Sequence, residues 1–446
     1  MSRINDLFRL PTTATAPFCP SEVRGVIATP EGANLWKRIA TFAGPGLLVA
    51  VGYMDPGNWA TDIEAGSRLG TDLLFIIGLS SLGAILFQCL ALRLGLVTGR
   101  DLAQACADRY AGATRIFLWV LAEIAIIATD VAEVLGAALA FKLLLGLPLW
   151  GGVLLTALDL LFVLGLQGVG FRKVEAIILA LVATIGGCFL LELILARPDA
   201  AAVAHGMIPD LRRLEQPHAL YLAIGIVGAT IMPHNLYLHS SIVQTRRVGA
   251  EQTGQAVRLA TADTVVSLLL AMLVNGSILL LAATAFHANG HTEIADIEDA
   301  HRLLEPITGA ALAGVAFALA LLASGQSSTF TGTIAGQVVL EGFLNLKIPC
   351  WQRRVITRVL AVVPALAGVL ILGEGSVGRL LVFTQVILAA QLPFALYPLV
   401  RLTSDKQLMG RFVTPAAFRL LAWGLFSLLT AADIWLVAKI GGGLLA

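Results

Sequence analysis

Charged side chains are scarce in this sequence. Asp, Glu, Lys and Arg make up 13% of the 446 residues, whereas 57% are hydrophobic. A soluble globular domain carries about 25% charged residues, so the composition argues against a soluble protein and predicts one polytopic membrane domain in a lipid bilayer. The net charge is only +1, which gives no indication of a nucleic-acid partner.

Cysteine pairs and catalytic motifs are lacking as well. The five cysteines are scattered without a Cys-x-x-Cys pair, so neither a disulfide framework nor a cysteine zinc site is predicted. No His-Glu-x-x-His, Gly-x-Ser-x-Gly or phosphate-binding loop occurs, which argues against an enzyme. Residues 1–38 are polar, contain several prolines and lack the apolar core of a signal peptide, so we expect a cytoplasmic tail.

Long apolar runs dominate the remainder of the chain. Runs of roughly 17 to 25 residues can cross a bilayer as helices. We predict eleven, at 40–66, 72–97, 115–144, 148–166, 174–196, 217–242, 260–286, 308–339, 355–372, 377–401 and 415–440. With the N-terminus in the cytoplasm, 22 of the 30 Lys and Arg fall on the cytoplasmic side. The positive-inside rule therefore predicts a cytoplasmic N-terminus and a periplasmic C-terminus.

Two of these spans are interrupted by a short polar segment. One lies at 55–58 (Asp-Pro-Gly-Asn) and the other at 232–235 (Met-Pro-His-Asn). A proline removes a backbone donor, so each helix should unwind there, and carbonyls freed at membrane depth are tolerated only where they line a cavity. Interrupted segments in corresponding positions of two halves indicate the substrate site of a transporter.

The predicted topology relates the two breaks to each other. Because five crossings invert the orientation of a chain, 39–200 and 215–405 are predicted to be two inverted five-helix repeats, each beginning with a broken helix. The helix at 415–440 is an addition to them. The prediction is therefore an all-α transporter domain over 39–446.

The side chains at the breaks predict a cation as the ligand. Asp55 offers a carboxylate and Asn58 an amide oxygen three residues later, on the same face of a helix. Unwinding at Pro233 should free the Ala229 carbonyl, and Met232 adds a thioether. Oxygen ligands suit hard cations, whereas a thioether favours softer transition metals, so the mixture favours Mn²⁺ or Fe²⁺ over Mg²⁺ or Ca²⁺. The alternative is that the methionine only fills the core.

Further ionisable side chains lie in the third span. Asp130 and Glu133 share a face, with Glu123 about two turns earlier. An acidic stripe in a membrane needs water, a cation or arginines from another helix, and Arg353 and Arg354 are candidate partners. A proton or cation relay and buried salt bridging between helices are the two interpretations that the residues allow.

Three other polar segments have alternative explanations. His234 follows the second break and could carry protons, or could hold the unwound loop as a neutral histidine. Residues 325–336 are rich in Gly, Ser and Thr, which lets helices approach closely, although hydroxyls could also line a cation path. The external loop at 287–301 contains His, Asp and Glu, and we expect an ordinary solvated acidic loop there.

Three motifs resemble those of one protein family. Residues 55–58, 232–235 and 325–336 are similar, in order and position, to the signature segments of the Nramp family of proton-coupled divalent metal transporters, specifically its bacterial manganese-uptake branch. The resemblance covers the chain from about Trp36. It implies the eleven-helix version of the fold of sodium-coupled amino-acid symporters (the LeuT-like fold), and import of Mn²⁺, and also Fe²⁺, across the inner membrane by alternating access.

The resemblance also implies roles for particular residues. The metal would be bound by the side chains of Asp55, Asn58 and Met232 and the carbonyl of Ala229, with Gln385 joining in some states. The proton route would comprise Asp130, Glu133, His234, Arg353 and Arg354. The metal ion is cargo, and no cofactor is expected.

One alternative function uses the same fold. A sodium-coupled symporter of an amino acid or another small organic solute would hold its substrate's carboxylate at the half-helix N-termini. Against this alternative, Asp55 would repel a carboxylate unless a cation came between them. The oligomeric state is left open by the sequence, and a monomer is compatible with it.

Overall fold

The structure, a computed structural model, is almost entirely helical. It describes residues 24–28, 34–158, 171–294, 296–346, 350–373, 375 and 377–444. Within these ranges the only strands are β1 (Ile27–Ala28) and β2 (Arg246–Arg247), which pair in parallel.

The described residues contain eighteen α-helices, which are numbered in chain order. In the first half they are α1 (Leu35–Phe42), α2 (Pro45–Gly52), α3 (Pro56–Leu69), α4 (Leu74–Thr98), α5 (Leu102–Arg109), α6 (Gly112–Leu145), α7 (Leu149–Thr156), α8 (Phe171–Ala196) and α9 (Ala200–Gly206). In the second half they are α10 (Pro217–Thr230), α11 (Pro233–Ile242), α12 (Thr253–Ala285), α13 (Ile297–Thr308), α14 (Ala311–Leu344), α15 (Cys350–Leu372), α16 (Val377–Thr403), α17 (Lys406–Met409) and α18 (Ala416–Leu444).

The predicted fold class is confirmed. Nine segments of the described chain are long and apolar enough to cross a membrane. The first predicted span is divided into α2 and α3, each too short to cross alone. The fourth begins as α7, and residues 159–170 of its predicted course lie outside the described residues. These two segments account for the difference between nine and the eleven spans that were predicted.

The helices form a buried centre and a lipid-facing periphery. The long helices α6 and α14 pack along each other at the centre, and α3 and α4 pack on α12. By contrast, only 22%, 22% and 17% of the most apolar windows of α8, α15 and α18 are buried. Exposed apolar side chains such as Ile371 and Leu420 therefore face the bilayer, where burial in lipid replaces packing against protein.

The described end of the N-terminal segment is anchored to the loop after α11. Besides the pairing of β1 with β2, Gly25 N donates to Gln244 O at 2.9 Å and Arg247 Nε donates to Gly25 O at 3.2 Å. The division of the chain into a tail and a domain, and the repeat boundaries within that domain, stay predictions.

Candidate functional site

The first break separates α2 from α3. Asp55 caps α3, and its Oδ1 accepts a hydrogen bond from Asn58 N at 2.8 Å. Asp55 is fully buried, and among the described residues its Oδ2 accepts no hydrogen bond of ordinary length, although the Gln385 side chain interacts with the carboxylate. A buried carboxylate oxygen without a donor is costly, so a cation or a proton would stabilise this atom.

The carbonyls freed by the break are bound by side chains. Tyr53 O accepts from Asn58 Nδ2 at 2.6 Å and from Asn275 Nδ2 at 2.8 Å. Met54 O accepts from Trp59 Nε1 at 3.2 Å and from Ser324 Oγ at 2.5 Å. Because the Asn58 amide nitrogen is used in this way, its oxygen is left as an acceptor suited to a cation.

The second break separates α10 from α11. Ile231 and Met232 leave the helical conformation, and α11 begins at Pro233 as predicted. Pro233 has no N–H, so it cannot donate to the carbonyl of Ala229 four residues earlier. Ala229 and Met232 are both fully buried.

Contacts at three glycines bring the breaks together. A Cβ built on Gly52, at the end of α2, would lie 2.2 Å from Asn235 Nδ2, just after the second break. A Cβ built on Gly57 would lie 1.7 Å from Gln385 Nε2 of α16, and Gln385 O lies 4.0 Å from a Cβ built on Gly228. Gln385 therefore lies between the two broken helices.

The structure thus gathers the predicted ligand residues around two facing breaks. Within the described part of the chain, no group of three or more His, Cys, Asp or Glu side chains could hold a metal. The predicted ligand set is of a different kind, since it has one carboxylate and otherwise amides, a carbonyl and a thioether.

Two cavities that share four lining residues lie between Gln385 and the C-terminal end of α3, on the predicted external side, and together they are named the access route. Its inner part is a neck of about 20 Å³, lined by Thr61, Glu64 and Gln385 among others. Its outer part is an opening of about 450 Å³, lined by Glu64, Arg68 and Arg379 among others. The neck has room for about one water molecule.

The acidic stripe of α6 faces the small residues of α14. A Cβ built on Gly332 would lie 2.9 Å from Asp130 Oδ1 and 3.1 Å from Glu133 Oε1. Close approach of helices, one interpretation of the 325–336 segment, is therefore observed. A cation path through that segment stays a prediction.

An arginine of α15 reaches the same stripe. Arg353 Nη2 forms an ion pair with Glu123 Oε2, and Arg358 interacts electrostatically with Asp130 and Glu133. The predicted pairing between the stripe and Arg353 is thus present. The side chain of Arg354, the other predicted partner, lies outside what the structure describes.

His234 connects the second break to α6. Its Nδ1 lies 3.3 Å from Thr129 Oγ1, next to Asp130, and the side chain is buried. The partner on α6 is thus a hydroxyl. His239 Nδ1 lies 2.9 Å from Gln88 Oε1, and this contact between two helices supports a structural role.

Two buried side chains near the breaks were not singled out from the sequence. Asn235 is fully buried, and neither atom of its amide has a partner among the described residues. Asp62 is 2% exposed and lies two turns beyond Asp55 on α3. A carboxylate inside a predicted span was the available signal for Asp62, and membership in the second motif was the signal for Asn235.

Two half-helix breaks that meet at mid-membrane define the fold of a secondary transporter. Two distant solved structures share this fold. MHP1, a nucleobase-cation-symport-1 family transporter, is 14% identical with a TM-score of 0.56, over 95% of this chain and 91% of that one. MhsT in complex with L-phenylalanine is 16% identical with a TM-score of 0.55, over 88% of this chain and 97% of that one. At such identities the likeness establishes the fold alone.

The chain belongs to the Nramp (Natural resistance-associated macrophage protein-like) family, whose model matches residues 46–439. It is 60% identical to the divalent metal cation transporter MntH of Ralstonia nicotianae, over 98% of this chain and 100% of that protein. It is also 60% identical to MntH 1 of Pseudomonas aeruginosa, over 96% and 98%. A crystal structure of a mutant Eremococcus coleocola manganese transporter has a TM-score of 0.89 at 38% identity, over 95% and 92%.

Proposed function

We propose that the protein transports divalent transition-metal cations, manganese foremost and also Fe²⁺, into the cell across the bacterial inner membrane, together with protons. The observation that carries this proposal is the buried Oδ2 of Asp55, which accepts no hydrogen bond of ordinary length, at a break that faces Gln385 and the second broken helix. The relatives named for divalent metal and manganese transport support the choice of substrate.

In this proposal the ion is bound by Asp55, Asn58, Met232, the Ala229 carbonyl and Gln385. The carboxylate supplies charge, the amides and the carbonyl supply neutral oxygens, and the thioether favours a transition metal. Alternating access then exposes the site first to the outside and then to the cytoplasm as the broken helices move against the remainder of the protein.

The acidic side chains at the first break and on α6 support proton coupling in this proposal. Asp55 can hold either a metal ion or a proton, so metal binding and proton binding would exclude each other at one atom. Asp130, Glu133 and Glu123, with Arg353, Arg354 and His234, would conduct the proton inward. The electrostatic interaction between Glu133 and Asp55 supports a link between the two sets of groups.

A sodium-coupled amino-acid symporter is not favoured. A substrate carboxylate would have to sit beside the buried Asp55, and like charges at short range in a poorly solvated site repel strongly. The likeness to MhsT is evidence for the fold and not for the ligand.

The test is uptake of radiolabelled Mn²⁺ into proteoliposomes under an inward proton gradient. Asp55→Asn is expected to abolish uptake, because an amide supplies neither charge nor a proton-binding site. The matched control is Asp433→Asn, which changes a buried carboxylate in α18, outside both predicted repeats. Uptake of Mn²⁺ by Asp55→Asn at the wild-type rate would refute the site assignment. Uptake of a labelled amino acid without uptake of Mn²⁺ would favour the symporter.

A further inference from the structure

Glu64 occupies the junction of the access route. It lines both the narrow neck that ends at Gln385 and the wider opening beyond it. An ion that follows this route passes the Glu64 carboxylate before it reaches Gln385. The Glu64 side chain is only 12% exposed, so its charge is weakly screened by solvent.

The charges around the opening make Glu64 decisive for a cation. It is the only carboxylate among the described residues that line the neck and the opening, where Arg68 and Arg379 are positive. Arg68 Nε donates to Glu64 Oε1 at 3.0 Å. Among these described lining residues, removal of Glu64 would leave two positive charges and no negative one, which disfavours a divalent cation.

A histidine from the other broken helix completes the arrangement. His218 Nε2, near the start of α10, lies 3.6 Å from Glu64 Oε1 of α3. Tyr221 lies one turn later on the same face and lines both parts of the route. A carboxylate together with an imidazole suits divalent transition metals better than Mg²⁺ or Ca²⁺.

We propose that Glu64 and His218 form a transient binding site for divalent transition-metal ions at the mouth of the neck, which receives the ion before the site between the breaks. With two protein ligands and otherwise water, this site holds an ion only briefly, as a relay requires. Arg68 neutralises Glu64 while no ion is present, and its side chain, 32% exposed, turns to solvent when an ion arrives. This inference rests on the proposed function.

The test compares Mn²⁺ uptake kinetics of charge variants in proteoliposomes at low ionic strength. Glu64→Gln is expected to raise KM by at least about tenfold without changing kcat, because Coulomb's law gives that factor for a unit charge and a divalent ion about 6 Å apart even in a water-like medium, and Glu64 is less screened than that. Arg68→Gln is expected to lower KM, because Glu64 is then free for the ion. His218→Gln should raise KM for Mn²⁺ and leave inhibition by Ca²⁺ unchanged.

The matched control is Asp299→Asn. Asp299 is an exposed carboxylate whose Oδ1 lies 3.9 Å from Arg302 Nη1, and it is not among the residues that line this route, so KM should not change. If Glu64 only held α3 to α10, Glu64→Gln and Arg68→Gln would both lower kcat and leave KM alone, and the relay site would be refuted. An unchanged KM in Glu64→Gln would refute it as well. Absence of Mn²⁺ uptake by the wild type would instead refute the proposed function.

Discussion

Replacing Gly57 by alanine is expected to disable the candidate metal site through a neighbouring residue. Gly57 follows Pro56 at the first break and contributes no side chain of its own. A Cβ there would lie 1.7 Å from Gln385 Nε2 and 2.5 Å from Gln385 Cδ, whereas ordinary contact begins at 3.4 Å. The Gln385 amide would therefore have to move by the difference, about 1.7 Å.

The size of this displacement sets the expected effect. Metal–ligand distances vary by only about 0.2 Å from their standard values, so a ligand moved this far no longer binds. Losing one neutral partner of a charged group costs about 1.5–3 kcal/mol, which corresponds to a Kd for Mn²⁺ that is about ten- to hundredfold weaker. Gln385→Ala should lose the same amount. The double variant should lose no more, because Gly57→Ala acts through Gln385.

The assay is isothermal titration of Mn²⁺ into the detergent-solubilised protein for the wild type, the two single variants and the double variant. Gly78→Ala is the control, since nothing lies within 4 Å of a Cβ at that position in α4. Thermal unfolding should establish that every variant is folded. Losses that add in the double variant, or wild-type affinity in Gly57→Ala, would refute the placement of Gln385 in the metal site.

Two further predictions concern selectivity and pH. Met232→Ala should weaken the preference for Mn²⁺ over Ca²⁺ in competition uptake, because it removes the only thioether of the candidate ligand set; an unchanged ratio would contradict that role. Burial raises the pKa of Asp101, which caps α5 between two spans, from 3.8 to about 7. Since the folded-state pKa exceeds the unfolded one, this group's stabilising contribution is complete below pH 3.8 and is lost as the pH rises through about 7. Asp101→Asn keeps a capping side chain but does not titrate, so the decline of Tm over that range should be shallower. A decline as steep as in the wild type would count against a buried, proton-binding Asp101.

The membrane helices could be predicted because a bilayer imposes a simple length and polarity on them. Their ends could not. The seventh span was predicted to begin at 260, but α12 begins at Thr253, and the eighth was predicted to end at 339, but α14 continues to Leu344. Both extensions contain charged residues, Arg258 and Glu341. A helix that continues past the apolar layer leaves no signal in hydropathy.

Some residues of the candidate site could be predicted from nearby sequence, whereas the position of another depends on a contact between distant residues. Asp55, Asn58, Ala229 and Met232 could be nominated because a membrane proline, with a carboxylate beside it at the first break, is visible within a few residues of sequence. Gln385 came only from the family resemblance, since no local feature of its helix marks it. Its position depends on Gly57, which admits the Gln385 amide, and that contact joins residues more than three hundred positions apart.

The hydrogen bonds at the first break explain how such a segment can exist at membrane depth and still belong to a moving helix. Two carbonyls at this break each have one donor from α3 itself and one from a distant helix. Tyr53 O is bound by Asn58 and by Asn275 of α12, and Met54 O is bound in the same manner by Trp59 and by Ser324 of α14. In the proposed transport cycle, a shift of the broken helix against α12 or α14 would remove the distant donor, whereas the donor from α3 would move with the carbonyl. Tyr53 O and Met54 O would therefore each keep a donor in the apolar layer, where an unpaired group costs about 1–3 kcal/mol. Asn58 and Trp59, which follow Pro56, thus keep these two carbonyls paired during motion, a role independent of any bound ion.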